Sequence, residues 1–211
     1  MRKLVWLALL LAAVVVPFGA YVRLSHAGLG CPDWPGCYGQ LSPSHAALAI
    51  QQAQALAPDG PVSLDKAWKE MLHRYLAGSL GALIVLIAWQ AWRTGRQRLP
   101  AALLLGVVLT QGLLGMLTVT LLLKPAIVTS HLLGGMGVLQ ILAWMAASPR
   151  LAAVTAPPLL GRLSGLLASA LALQLALGGW VSSNYAALAC QGFPGCNGDA
   201  WPALRFDHAF H

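Results

Sequence analysis

The sequence predicts an all-α integral membrane protein: an antiparallel four-helix transmembrane bundle plus a fifth helix that begins a second, incomplete pseudo-symmetric bundle. Three observations carry this expectation. Of 211 residues, 58% are hydrophobic and only 9% charged, at a mean hydropathy of +0.69, which leaves too little polar surface to coat a water-soluble domain. Continuous apolar runs, each near the ~20 residues that cross a bilayer as a helix, lie at Leu4–Leu24, Met71–Trp92, Leu99–Leu123, Ala126–Ala147 and Leu163–Ser183. These runs do not alternate, which argues against β-barrel strands. Finally, part of the chain repeats at an interval of 159 residues.

The first run follows Arg2 and Lys3 and has a signal peptide as its rival reading. It continues to Leu24, longer than a signal core, and is expected to stay as a helix. Next comes "SPSHAALAIQQAQALAPDG", a short outer helix capped by Ser42 or Ser44 and ended by Pro58 and Gly60. "SLDKAWKEMLHR" then opens a longer helix, with Ser63 as N-cap and Asp65 in the first turn, where a negative charge meets the positive end of the helix dipole. From Asp65 to Trp92 it outruns the bilayer, so its first turns stand in the outer interface. "RTGRQRL", "KP" and "SPRLAAVTAPPLLGR" are ordinary loops, which makes consecutive helices antiparallel neighbours. The expected division is residues 1–150, an N-terminal bundle with an outer cysteine loop over 25–69, and residues 151–211, the start of the second repeat.

Charge sets the expected orientation. With the N-terminus cytoplasmic, the inner segments hold Arg2, Lys3, Arg93, Arg96, Arg98, Arg150 and Arg162, while all six acids, Asp33, Asp59, Asp65, Glu70, Asp199 and Asp207, fall outside. The net charge of +7 is then a topology signal and an attraction to anionic membrane lipid, with no nucleic acid needed to explain it. The same orientation puts Cys31, Cys37, Cys190 and Cys196 on the extracytoplasmic face, where oxidising conditions permit a disulfide in each pair. Zinc is the rival; its knuckles use shorter spacings and need four ligands close together.

Shifted by 159 residues, Ala20–Pro43 lies on Gly179–Pro202 without a gap and agrees at nine of twenty-four positions, both cysteine pairs included. Trp34 is matched by Phe193 and Tyr21 by Trp180. Such agreement indicates duplication. A full second unit would add three more helices, eight spans in all, so the chain is expected to be truncated, or else to offer its fifth helix to a partner subunit such as a second copy.

His73 enters the second span and His131 the fourth, each near its outer end, so the two imidazoles are expected at similar depth. Two facing histidines can clamp a haem iron, whereas a lone intramembrane His more often bonds a neighbouring helix or interfacial water. Ala77 and Gly81 follow His73 on its face, and Gly134 and Gly135 follow His131; they would leave room for a flat macrocycle or serve plain helix packing. Glu70 shares the face of His73 and can relay protons, and Arg74 can hold a propionate with its fork; an interfacial ion pair is the plainer reading of both. His26 and His45 read as solvated or loop-packing residues, and His208 and His211 have no assigned role.

"GAYVRLSHAGLGCPDWPGCYG", "EMLHR", "TSHLLGG" and "GGWVSSNYAALACQGFPGCNG" together resemble the haem A synthase family, along the whole chain. The resemblance implies eight helices in two pseudo-symmetric bundles and oxidation of a methyl group of haem O to the formyl group of haem A. It further implies that His73 and His131 receive the substrate haem, that Glu70 is the catalytic acid/base and that Cys31–Cys37 is the functionally relevant bridge. Haem B would be the cofactor of the C-terminal bundle, in the helices this chain lacks. Expected partners are haem, membrane lipid, another copy of the chain, and haem O synthase or terminal oxidase assembly proteins, in the inner membrane. Competing readings are a non-catalytic haem-binding or electron-transfer protein, a half-enzyme needing a partner, and a membrane thiol oxidant, which would need an exposed, reactive cysteine pair.

Overall fold

The computed structural model describes residues 1–148, 157–186, 189–192 and 195–199. Arg150, Phe193, Pro194, Pro202, Asp207, His208 and His211 lie outside the described residues. Among those described, helices run over Arg2–Leu24 (α1), Ala47–Leu56 (α2), Leu64–Thr94 (α3), Arg98–Thr120 (α4), Pro125–Ala147 (α5) and Pro158–Ser183 (α6). All but α2 are long and apolar enough to cross a membrane, and the chain is an all-α, multi-pass membrane protein.

Helix ends follow local chemistry at most boundaries. Ser63 caps α3 by accepting from the Lys66 N–H at 3.3 Å. Gly95, at φ 73°, closes the same helix in the left-handed conformation that costs glycine least. The expected serine cap of α2 is not formed. That helix begins after Ala46 with no side-chain cap, because the Ser42 hydroxyl bonds His45 Nδ1 at 2.8 Å instead. The third apolar run was expected to be helical to Leu123, yet α4 stops at Thr120. Pro125 is the reason: it disfavours helical backbone in the residue before it and sits at the start of α5, so the chain must reverse within four residues. Leu122 and Leu123 take φ 52° and 60° to do so.

Packing closes α1, α3, α4 and α5 into a ring. α1 lies against α3 and α5, α4 against the same two, and α6 docks on α5 from outside. The solid core fills the end of the ring where α1 begins and α3 ends. Val5, Ala8, Ala12 and Val15 of α1 meet Leu80, Ile84, Ile87 and Ala91 of α3 and Val138, Leu142 and Met145 of α5, all with helical spacing and all buried. Toward the opposite end, which carries His73 and His131, the fully buried members stop at Leu80 and Val138, and Leu76 and Ala77 pack against them half-buried. A second, smaller cluster of Cys31, Cys37, Ala46, Ile50, Ala67 and Met71 fastens the first cysteine loop and α2 to the start of α3.

Candidate functional site

The duplicated segments fold alike. Cys31 bonds Cys37 and Cys190 bonds Cys196, with Cα separations of 4.8 and 4.6 Å. In the first loop the Cys37 and Gln40 backbones exchange hydrogen bonds of 2.8 and 3.1 Å; in the second, Cys196 and Asp199 do so at 2.8 and 3.0 Å. Positive φ falls at equivalent positions too: His26 and Tyr185, Tyr38 and Asn197, Gly39 and Gly198. Zinc has no support, for among the described residues no three or more His, Cys, Asp or Glu side chains form a metal cluster. Nor does the first pair suit a thiol oxidant, since Cys31 and Cys37 are completely buried.

What holds the first loop down is the start of α3. Arg74 donates through Nη1 to the carbonyl oxygens of Asp33 (2.8 Å), Pro35 (3.3 Å) and Gly36, and through Nη2 to Glu70. The other Glu70 oxygen accepts from the Cys31 backbone N–H at 3.0 Å. Both side chains are nearly closed off from solvent, at 12% and 6% exposed, so each satisfies a charge the other could not bury alone. Gly30 passes over the α3 backbone so closely that a Cβ would stand 2.7 Å from the Ala67 nitrogen. Asp33 braces the far side by accepting from the Tyr38 and Gly39 N–H groups. Arg74, read from sequence as a propionate ligand, thus spends these donors on the loop.

Beneath this lid lie the two imidazoles. His73, on α3, reaches toward α1, and His131, on α5, toward α4. Phe18 of α1 stacks on His73 with centroids 6.4 Å apart and planes inclined by 24°. Gly19 lets that ring approach: a Cβ there would meet His73 Nε2 at 2.8 Å. On α4, a Cβ at Gly115 would lie 3.5 Å from His131 Cε1. His131 Nδ1 is buried without a hydrogen-bond partner among the described residues.

The small residues expected to clear space divide differently. A Cβ at Gly134 would come 1.9 Å from the Gln111 side-chain nitrogen, and one at Gly135 would meet Val16 and Gln111. Those glycines seat Gln111 of α4 and Val16 of α1, which is helix packing. Ala77 joins the core, and Gly81 has nothing near it. Gly19, Gly115 and Gln111 are the residues that sequence reasoning missed. A glutamine inside an apolar run was a legible signal, because intramembrane polar side chains are seldom idle; the glycines gave none.

The donor set suits a metalloporphyrin. A bare metal ion needs several protein ligands, and no such cluster exists among the described residues. A haem iron brings four nitrogens and asks for one or two axial imidazoles. His131, with its orphaned ring nitrogen, and His73, with small residues where it meets α1, match that requirement.

Comparison with known proteins gives this arrangement a family. The family model described as cytochrome oxidase assembly protein, COX15-CtaA, matches residues 2–211. A Heme A synthase of Shewanella oneidensis is 43% identical over 99% of this chain and 66% of its own length. Those of Methylorubrum populi and Halalkalibacterium halodurans are 32% and 28% identical over 95% and 94% of the chain, and 59% and 65% of their own lengths. The chain therefore spans between 59% and 66% of these relatives. No solved structure matches it. Two cystine loops of one design, the first clamped by Glu70 and Arg74, agree with a match along essentially the whole chain, which makes this protein a member of the COX15-CtaA family of cytochrome oxidase assembly proteins.

Proposed function

We propose that the chain acts in haem A synthesis as a membrane oxidoreductase that converts a methyl group of haem O to a formyl group, with His73 and His131 as axial ligands of the substrate iron. The observation that carries this reading is the pair of imidazoles, one on α3 and one on α5, beneath a braced lid, in a chain 43% identical to a Heme A synthase. Methyl plus water gives formyl, four protons and four electrons, so the reaction requires an electron acceptor. The family resemblance supplies haem B, in the second bundle, as the further cofactor.

The chain's own residues bind, orient and exclude water. The two imidazoles fix the macrocycle by its centre, Phe18 packs against one of them, and the Cys31–Cys37 lid keeps the outer end dry. Glu70 holds Arg74 and the Cys31 N–H, and this placement suits a carboxylate that anchors the lid while lying one helical turn from His73. We assign the N-terminus to the cytoplasm and the cysteine loops to the outer face of the inner membrane. We also assign residues 1–150 to one bundle and residues 151–211 to the start of its repeat.

A second reading, haem binding or electron transfer without catalysis, is favoured by the engagement of both Glu70 oxygens in structural bonds. Expression of the chain with haem O, followed by pigment extraction, separates the two. Hydroxylated or formyl haem is expected from the wild type and not from Glu70→Gln, while both retain bound haem. Bound haem O recovered unchanged from the wild type would leave only the second reading.

A further inference from the structure

Outward of the imidazoles lies a cavity of about 410 Å³ whose walls include Arg23, His26, Asp59, Lys66, Leu123 and Tyr185. Helix geometry ties it to the histidine site. Arg23 is one turn beyond Gly19 on α1, and Lys66 is two turns before His73 on α3, so both project from the faces that bracket the His73 ring. Seven residues of helix set Lys66 about 10 Å outward of His73.

The cavity is cationic and partly unsatisfied. Arg23 and Lys66 face a single acid, Asp59. Lys66 Nζ reaches one carbonyl oxygen, that of Gly60, at 3.4 Å. Arg23 is held in place by the second repeat: Nη2 donates to the Ser182 and Ser183 carbonyl oxygens at 2.9 and 3.4 Å, at the negative end of the α6 dipole. The guanidinium also lies 4.1 Å over the Tyr185 ring, which stacks in turn on His26 with centroids 5.7 Å apart. Its Nε, by contrast, is buried with no acceptor among the described residues. A fixed guanidinium with a spare buried N–H calls for an anionic oxygen.

We propose that this cavity is the outer end of the tetrapyrrole site and that Arg23 and Lys66 hold the propionate carboxylates of the haem whose iron His73 and His131 bind. The inference rests on the haem reading above and moves the propionate role away from Arg74, whose donors serve the lid. It also gives α6 a task within the first bundle: its last carbonyl oxygens aim Arg23.

The test is a titration of the full chain in detergent with ferric protohaem and with its dimethyl ester, followed by Soret absorbance, for the wild type, Arg23→Gln, Arg23→Lys and Lys66→Gln. The wild type is expected to bind the free acid about tenfold or more tightly than the ester. Arg23→Gln and Lys66→Gln should each shrink that ratio several-fold by weakening the acid alone, with the low-spin two-histidine spectrum unchanged, and Arg23→Lys should restore part of it. Because Arg23 also touches α6, Lys66→Gln provides the arm free of that contact. An acid-to-ester ratio that stays at its wild-type value in both glutamine variants overturns the proposal. So does that result accompanied by loss of co-purifying anionic phospholipid, which would assign the two cations to a lipid phosphate. If the wild type shows no low-spin spectrum with either probe, the haem reading itself fails.

Discussion

The two cystine loops share a backbone and differ in what they touch. In the first, both cysteines are buried against α3, three carbonyls are gathered by Arg74, and one N–H is taken by Glu70. In the second, Cys190 is exposed, and the side-chain bonds of the described residues stay local: Asn197 accepts from the Gln191 N–H at 2.9 Å and donates to the Ala189 carbonyl at 3.1 Å. The lesson is that cysteine, glycine and proline placement suffices to shape the loop, while a separate helix turns it into a lid. The Glu-x-x-His-Arg pattern couples that clamp to His73, since Glu70 and Arg74 flank it on the same helix.

Glu70→Ala attacks the contrast most directly. It leaves Arg74 without its carboxylate and the Cys31 N–H without an acceptor, at an expected cost of about 3 kcal/mol or more. Graded reduction with a thiol should open Cys190–Cys196 first in the wild type and both bonds together in the variant. Unchanged order would mean that the clamp does not protect the first loop.

Arg74→Lys keeps a charge for Glu70 but loses the fork that serves several carbonyls, and should cost about 1–3 kcal/mol. Thermal unfolding in detergent measures it; a melting temperature equal to the wild type's would show that the carbonyls manage without the guanidinium.

Gly19→Ala and its counterpart across the repeat, Gly178→Ala, sharpen the comparison within the spans. At Gly19 the added methyl meets His73 Nε2, whereas at Gly178 nothing lies within 4 Å. The first should weaken haem binding by about 1–3 kcal/mol through displacement of the ring. The second should stay within about 1 kcal/mol of the wild type or gain slightly in stability. Equal effects in a haem titration would remove Gly19 from the site.

The smallest effect concerns Tyr38, whose hydroxyl is held above its ordinary pKa of 10.0, first by burial and then by the Asp33 carboxylate. A raised folded value means that the stabilisation is complete below pH of about 10 and is lost as pH rises through the folded value. The first loop should therefore loosen in strong alkali, and Tyr38→Phe should abolish that loss. The equivalent position in the second loop is Asn197, which does not titrate, so that loop should show no counterpart.

Much of the fold was legible because bilayer thickness and helix rise turn apolar run length directly into helix count. Ser63 could be read as a cap for a similar reason: its hydroxyl acts within three residues. The α2 cap was misplaced because Ser42 had a competing local partner in His45, and the end of α4 was misplaced because hydropathy does not register the turn that Pro125 enforces. At the site, His73, His131, Glu70 and both cystines stood out as polar or reactive groups in apolar surroundings. Gly19 and Gly115 did not, since a glycine in a helix looks the same whether it faces lipid or an imidazole.

The sequence by itself determined the helices, the duplication and the form of each cysteine loop, all of which depend on composition or on neighbours a few residues apart. Only the tertiary structure decided that Arg74 grips the lid, that Gln111 fills the space at Gly134, and that Arg23 is aimed by α6. Those contacts join residues far apart along the chain. The direction of a long side chain depends on which acceptor the fold brings within reach, and no local pattern specifies that.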